Sequence, residues 1–381
     1  MLDDIRVLDL THVWFGPWCT MMIADMGAEV IKIEPPWGGI DRVAEGALFG
    51  GSSYTFHHLN INKKDLTLDL KKPEGLEIFK DLVKVSDVVV QNFSPGTMER
   101  LGLGYEVLRG LNPGIIYAAL SGFGQYGPYM NRKSYASVAE AMSGHTRLTG
   151  ERHDENGPPV EMAQAYGDLG PGTMAAMSII AAIRHRDKTG VGQMIDVAQF
   201  DCMVAYNTAI TGYTLSGMLP LEIRKKYPVA RGVGGLVKCK DGGWIQVAAY
   251  APRFLDRLSE HWGVEEVTME MMAERTAEMT RDEAVGFYIE LGLPVAPVYH
   301  VDEAVADPHL AARGMFIEVE HPLAGRIKVP NFPVKLSETP GVVKTAAPIL
   351  AQHSREILTR LLGLSEEKVV ELVKAGVTSL P

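Results

Sequence analysis

The chain is poor in cysteine: Cys19, Cys202 and Cys239 are all it has in 381 residues. They are odd in number, far apart and in no CxxC pair, so neither a disulfide framework nor a zinc site is indicated, and a reducing compartment suits them. No run of about twenty apolar residues occurs. The longest candidate, 174–183, stops at Arg184, His185 and Arg186, so no membrane span is expected. Positive charge is also short. Lys and Arg number 37 against 47 Asp and Glu, a formal net charge of −10, which argues against an extended nucleic-acid or anionic-membrane surface and leaves any phosphate site to a local cluster of cations. The opening "MLDDIRVLDLTH" has neither the basic n-region nor the apolar h-region of a secretory signal, which points to the cytoplasm. P-loop, HExxH and Ser-His-Asp patterns are missing as well.

What is present is an alternation of strand-like and helix-like runs. "IRVLDL", "AEVIKIE", "LTLDL", "DVVVQNF", "GIIYAAL" and "QMIDVA" read as strands. Between them lie "PWCTMMIADMG", "PEGLEIFKDLVKVS", a short helix around 95–110 and a helix at 173–187. Such alternation predicts an α/β domain built on a mostly parallel, Rossmann-like open sheet. After about 210 the pattern shifts to the loop-like "GYTLSGMLP", a hairpin around Asp241-Gly242-Gly243 and a Met- and Glu-rich helical stretch at 264–290, a smaller α+β domain. Past 325 come the loop-like "HPLAGRIKVPNFPVKLSETPG" and two amphipathic helices, "AQHSREILTRLLG" and "SEEKVVELVKAG", too marginal to stand alone and expected to pack back on the first domain. The expected division is therefore 1–210 with 326–381 for the large domain and 211–325 for the small one.

Three features carry chemistry. Gly122-Phe123-Gly124-Gln125-Tyr126-Gly127 fits G-x-G-x-x-G after a strand, but no helix starts there and no acid ends the next strand, so dinucleotide binding is disfavoured. Cations recur near strand ends and loops: Lys63, Lys64, Lys71, Lys72, Arg100 and Lys133. On an open α/β sheet that is where a phosphate-bearing ligand gathers, although each alone reads as a solvated side chain. The third is "AYGDLGPG" at 165–172, where Asp168 stands among glycines just before a helix. Either Asp168 caps that helix, or the glycines leave room for a substrate to reach its carboxylate.

Together the stretches "VLDLTHVWFGP", "MGAEVIKIEPP", "NKKDLTLDLKKPEG", "DVVVQNFSPGTMERLGLGYE", "LNPGIIYAALSGFGQYGP", "YGDLGPG", "AAIRHRDKTGVGQMIDVAQFD" and "ADPHLAARGMF" resemble the class III CoA-transferases. That family includes formyl-CoA transferase, carnitine CoA-transferase and the α-methylacyl-CoA racemases. The resemblance implies an interlocked homodimer with coenzyme A lying on the Rossmann-like domain. Acyl-CoA is then a substrate, no cofactor is tightly bound and no ATP is needed. It also implies that Asp168 is a nucleophile in carboxylic acid metabolism: its carboxylate attacks an acyl-CoA thioester to give a mixed anhydride, and the retained thiolate returns to form an aspartyl-CoA thioester, which an acceptor carboxylate attacks in turn.

Carried over position by position, the resemblance implies CoA contacts at His12, Val13, Leu68, Lys71, Asn92, Phe93, Arg100, Leu101 and Lys133, with Lys71, Arg100 and Lys133 on phosphates. Trp14, Phe15 and Tyr135 would shape the acyl pocket. Trp14 replaces the glutamine of formyl-CoA transferase and that enzyme's long Gly-rich flap is absent, so a larger or more apolar acyl group than formyl is expected. Pro35 replaces an arginine that contacts CoA in the family. Two other outcomes stay open: a racemase, whose histidine position is occupied here by Tyr135 with His145 nearby, and a CoA-binding protein without catalysis.

Overall fold

A computed structural model describes residues 1–44, 48–227 and 233–381. The larger of its two units, Met1–Ile210 with Gly314–Pro381, is organised by six parallel strands: β1 (Arg6–Asp9), β2 (Glu29–Glu34), β3 (Lys63–Thr67), β4 (Val88–Gln91), β5 (Ile116–Ser121) and β6 (Met194–Ala198). Their order across the sheet is β3-β2-β1-β4-β5-β6, the Rossmann order, with every neighbouring pair parallel. Central strands of this kind are covered on both faces and read as unbroken apolar runs. "VVV" at 88–90 and "IYAAL" at 116–120 are accordingly buried throughout.

The helices of this unit include α1 (Phe15–Asp25), α2 (Pro73–Lys84), α3 (Ala136–Met142), α4 (Tyr166–Thr189) and α5 (Gln199–Tyr206). One apolar cluster joins β1, β4 and β5 to α1 and α4 through Val7, Ile23, Val90, Leu120 and Ile179. The opposite cluster places Leu8, Ile31, Phe79 and Val89 against Ile357, Leu358, Val369 and Leu372 of the returning tail. The chain re-enters this unit at Gly314, earlier than the 326 expected. The segment read as loop at 321–341 holds half of a hairpin, β7 (Phe316–His321) with β8 (Gly325–Pro330), whose Val319 and Val329 pack with Met21 and Ile61. The unit Thr211–Arg313 has its own core around Val237, Ile245, Val247, Leu258 and Tyr288, under a three-stranded sheet made by Val233–Lys238, Trp244–Ala249 and Val295–Pro297.

Asn62, at φ +61, docks the returning chain. Its Oδ1 accepts from the amides of Lys344 (2.6 Å) and Thr345 (3.0 Å), and its Nδ2 donates to Val342 O (2.9 Å) and to Asp25 Oδ1 (2.7 Å). Burial pushes the Asp25 carboxyl up to about 7, against the pull of the Asn62 bond. In the unfolded chain this group ionises near its ordinary value, so between roughly pH 4 and 7 the folded state holds a proton that the unfolded state has lost. Its contribution is complete below that window and lost as pH rises through about 7. Asp25→Asn is therefore expected to match the native chain near pH 4 and to exceed it by about 2–4 kcal/mol at pH 8. Urea unfolding across pH checks this, and a difference that does not grow with pH contradicts it.

Candidate active site

The crevice of an open α/β sheet lies beyond the carboxyl ends of its strands, where the strand order reverses. Here that point is between β1 and β4, and the loops after β1, β4 and β5 meet there. A small cavity of about 100 Å³ is lined by His12, Val13, Trp14, Phe15, Asn92, Ser121, Gly122, Tyr135, Asp168 and Gln199 among others. A second of about 700 Å³ shares His12, Val13, Trp14, Tyr135 and Asp168 and extends along Ile40, Tyr54, Glu140 and Met162 to Ala165. The second is within the size range of small-molecule sites.

Asp168 is 6% exposed and lies in the first turn of α4. It is not the cap. The cap position is Ala165, which makes no side-chain cap bond, and the Gly167 amide is instead taken by Glu140 Oε1 of α3 at 2.8 Å. The amides of Tyr166, Asp168 and Leu169 bond to Gln164 O and Ala165 O, so the whole first turn is satisfied within the protein. Asp168 Oδ1 accepts from Gln199 Nε2, itself buried at the start of α5. Glu140→Ala is expected to cost about 1–2 kcal/mol as a lost cap, with Glu140→Gln keeping most of it because the acceptor oxygen remains. Thermal unfolding decides, and a neutral Glu140→Ala contradicts the assignment.

The glycines around Asp168 serve packing rather than room for substrate. A Cβ on Gly167 would fall 2.5 Å from Ala136 O, one on Gly170 2.6 Å from the Tyr206 ring, and one on Gly172 2.7 Å from Phe15 O. They let α4 press against α3, α5 and α1, which brings the carboxylate to the cavity wall.

The other expected contacts divide. His12, Val13, Trp14, Phe15, Asn92 and Tyr135 line the cavities with Asp168. Burial lowers the His12 imidazole from its ordinary value, with Asp41 pulling the other way, so it is neutral at pH 7. Phe93 lies 5.8 Å from the His12 ring and packs on the core with Leu101. Leu68 is 2% exposed inside that core, so what it can offer a ligand is backbone. Lys133, on the segment after β5, reaches Ser94 Oγ with its Nζ at 3.0 Å, and Arg100, at the end of the short helix Thr97–Arg100, bonds Thr97 Oγ1 at 2.8 Å, so both cations stand beside the chain that follows β4. Lys71 is exposed on the loop after β3.

Lys63 and Lys64 depart from the reading as loop cations, because the strand begins at Lys63. Lys63 is fully buried and gives its ammonium to Asp9 (3.0 Å), Pro17 O (3.1 Å) and Asn60 Oδ1 (3.0 Å), while Lys64 pairs with Glu29 and Glu356. Burial raises the Asp9 carboxyl, but Lys63, Lys32 and the Thr11 and Thr20 hydroxyls outweigh it and hold Asp9 ionised, below the usual carboxylate range. Gly122–Gly127 is a run of bends, and the next helix, α3, begins only at Ala136. His145, the other base considered, sets Nε2 3.0 Å from Met203 O, so that nitrogen carries the proton and is spent on a carbonyl.

A family model described as CoA-transferase family III matches residues 2–354. The chain belongs to CoA-transferase family III. Relatives in it include the succinyl-CoA–D-citramalate CoA-transferase of Chloroflexus aurantiacus, 36% identical over 97% of this chain and 96% of the relative. The human succinyl-CoA:glutarate CoA-transferase is 34% identical over 99% and 89%, and the formyl-CoA:oxalate CoA-transferase of Rhodopseudomonas palustris 33% over 100% and 98%. A CAIB/BAIF family protein from Brucella suis has a similar solved structure, with TM-score 0.83 and 29% identity over 94% of this chain and 99% of that one. The α/β architecture of this chain, with its parallel six-stranded sheet, matches that of its solved neighbour, and CoA-transferase activity between acyl-CoA and carboxylate is supported by the names of the relatives. Among the described residues no helix is long and apolar enough to cross a membrane.

The residues that sequence reasoning missed are Glu140 and Gln199. Both act on the Asp168 turn from 27 to 31 positions away, and although Gln199 stands in the quoted stretch 181–201, nothing in that stretch signals its bond to Asp168.

Proposed function

We propose that the chain is an acyl-CoA:carboxylate CoA-transferase in which Asp168 is the nucleophile, passing through an aspartyl-CoA thioester. The observation that carries this is a carboxylate buried in a cavity wall, relieved of capping by Glu140 and oriented by Gln199. Attack by Asp168 on the acyl carbonyl releases the CoA thiolate and leaves a mixed anhydride. The thiolate then attacks the aspartyl carbonyl, expelling the donor acid, and the acceptor carboxylate repeats both steps in reverse. Neutral His12 and the loop after β1 stand beside the reacting carbonyl, where fixed dipoles lower the barrier most. Lys71, Arg100 and Lys133 hold the CoA phosphates, with Leu68, Phe93 and Leu101 flanking the rest of that molecule.

Succinyl-CoA is the donor to try first, because two of the relatives are named for it. Trp14, Phe15 and Tyr135 bound the acyl end. The molecule works in the cytoplasm as a homodimer of interlocked chains. Trp37, Val43 and Phe49 are exposed large apolar side chains of the kind a second copy would cover. The test is incubation with succinyl-CoA and isotope-labelled acids, citramalate and glutarate first. Label in a new CoA thioester supports the reading. Deuterium entering the substrate α-carbon from solvent, with no labelled thioester, overturns it.

A further inference from the structure

The turn that follows β1 is held in an expensive shape. Val13 has φ +66, a left-handed conformation that a β-branched residue adopts only under constraint. The constraint is visible on both sides of the preceding residue, His12. Asn92 Oδ1 accepts from His12 N–H at 3.0 Å, and Asn92 Nδ2 donates to His12 O at 2.8 Å, a two-bond clasp across the switch point between β1 and β4. From beneath, Lys32 Nζ bonds Thr11 O at 2.9 Å, Asp9 takes the Thr11 amide and hydroxyl, and Lys63 holds Pro17 O. The segment so held, His12 to Phe15, lines the cavity with Asp168.

We propose that Asn92 is a positioning residue: its clasp on the His12 backbone keeps Val13 left-handed and so presents His12–Phe15 to the thioester beside Asp168. The inference rests on the transferase reading of that site. It gives Asn92 a different task from the CoA contact that the resemblance implies, since both ends of its amide are engaged by backbone.

The two tasks separate kinetically. Losing a direct CoA contact raises KM, whereas letting the turn relax lowers the fraction of molecules ready to react and appears in kcat. Relaxation should also depend on the residue at 13. Glycine occupies positive φ without the Cβ penalty, so a chain with Val13→Gly has less need of the clasp, whereas Val13→Ala removes the side chain but keeps the penalty.

Asn92→Ala is expected to lower kcat by about 10- to 100-fold with KM for acyl-CoA changed less than about threefold. In the Val13→Gly background the same change should cost less than about fivefold, and in the Val13→Ala background about as much as in the native chain. Should Asn92→Ala fail to fold, Asn92→Asp keeps the acceptor for His12 N–H, loses the donor to His12 O, and should give an intermediate loss. Amide hydrogen exchange of the peptide spanning residues 10–18 is read alongside and should quicken in Asn92→Ala whether or not substrate turns over. An equal kcat loss in all three backgrounds, or a rise in KM alone, overturns the proposal. If the native chain transfers no CoA, the transferase reading fails by itself and the exchange arm decides the clasp: unchanged exchange overturns it and quickened exchange upholds it.

Discussion

Asp168→Asn is expected to lower kcat for CoA transfer by about 10⁴-fold or more while leaving the fold and acyl-CoA binding in place. The amide has the shape of the carboxylate and retains an oxygen for the Gln199 Nε2 donor, so the bond that orients the group survives. What disappears is the nucleophile, because an amide oxygen neither attacks a thioester at a useful rate nor forms an anhydride that thiolate can open. The helix start is insulated from the change, since its cap is Glu140 and its first amides are taken by backbone. No thiol stands ready to substitute. Cys19 is fully buried with its thiol pushed well above the ordinary range, and burial and Asp201 push the Cys202 thiol to about 11. A loss smaller than about tenfold would mean that another group carries the acyl transfer.

The second large effect concerns stability. Lys63→Met is expected to cost about 3–5 kcal/mol, because it strips the buried Asp9 carboxylate of its paired ammonium and takes the donor from Asn60 Oδ1. The same side chain ties β3 to β1 and to the first turn of α1, so the loss should appear in urea unfolding of the larger unit and in slower catalysis together. Neutralising the stranded partner tests the mechanism. Asp9→Asn combined with Lys63→Met should recover at least half of the loss, since a neutral buried pair escapes the desolvation penalty. A double variant no more stable than Lys63→Met alone would place the cost in packing rather than in charge.

The elements that could be read directly from sequence are those whose signals are local. β1, α1 and β2 each carry their own apolar period and stop residues, and the Rossmann order follows once alternation with helices is recognised. β3 was harder. Its first residues are Lys63, Lys64 and Asp65, which look like a loop and become a strand because Asp9, Glu29, Glu356 and Arg42 pair with them across distant parts of the chain. The stretch "GYTLSGMLP" read as loop through its glycines, yet Thr208–Ser216 and Pro220–Lys226 are helical. In the tail, "AQHSREILTRLLG" is one turn of α-helix at Ser354–Glu356 running into a π turn at Ile357–Leu361.

The site shows the same division. Asp168 and the segment His12–Phe15 each stand in a contiguous stretch that singles them out, and the structure brings them to one cavity wall. The reason for the glycines is not legible, because their partners, Ala136, Tyr206 and Phe15, belong to other helices. The resemblance singles out Asn92 as a CoA contact, and in the structure its amide bonds the His12 backbone: residue type and position are legible in a sequence, whereas a clasp on a residue 80 positions away is not.

The most direct test of a nucleophilic Asp168 is the mass of the peptide that contains it, taken after brief incubation with succinyl-CoA and no acceptor acid. The account predicts a peptide heavier by CoA less one water, present in the native chain, absent in Asp168→Asn and discharged when a carboxylate acceptor is added. An unmodified Asp168 peptide from a preparation that is actively transferring CoA, or the adduct on any other residue, would contradict it.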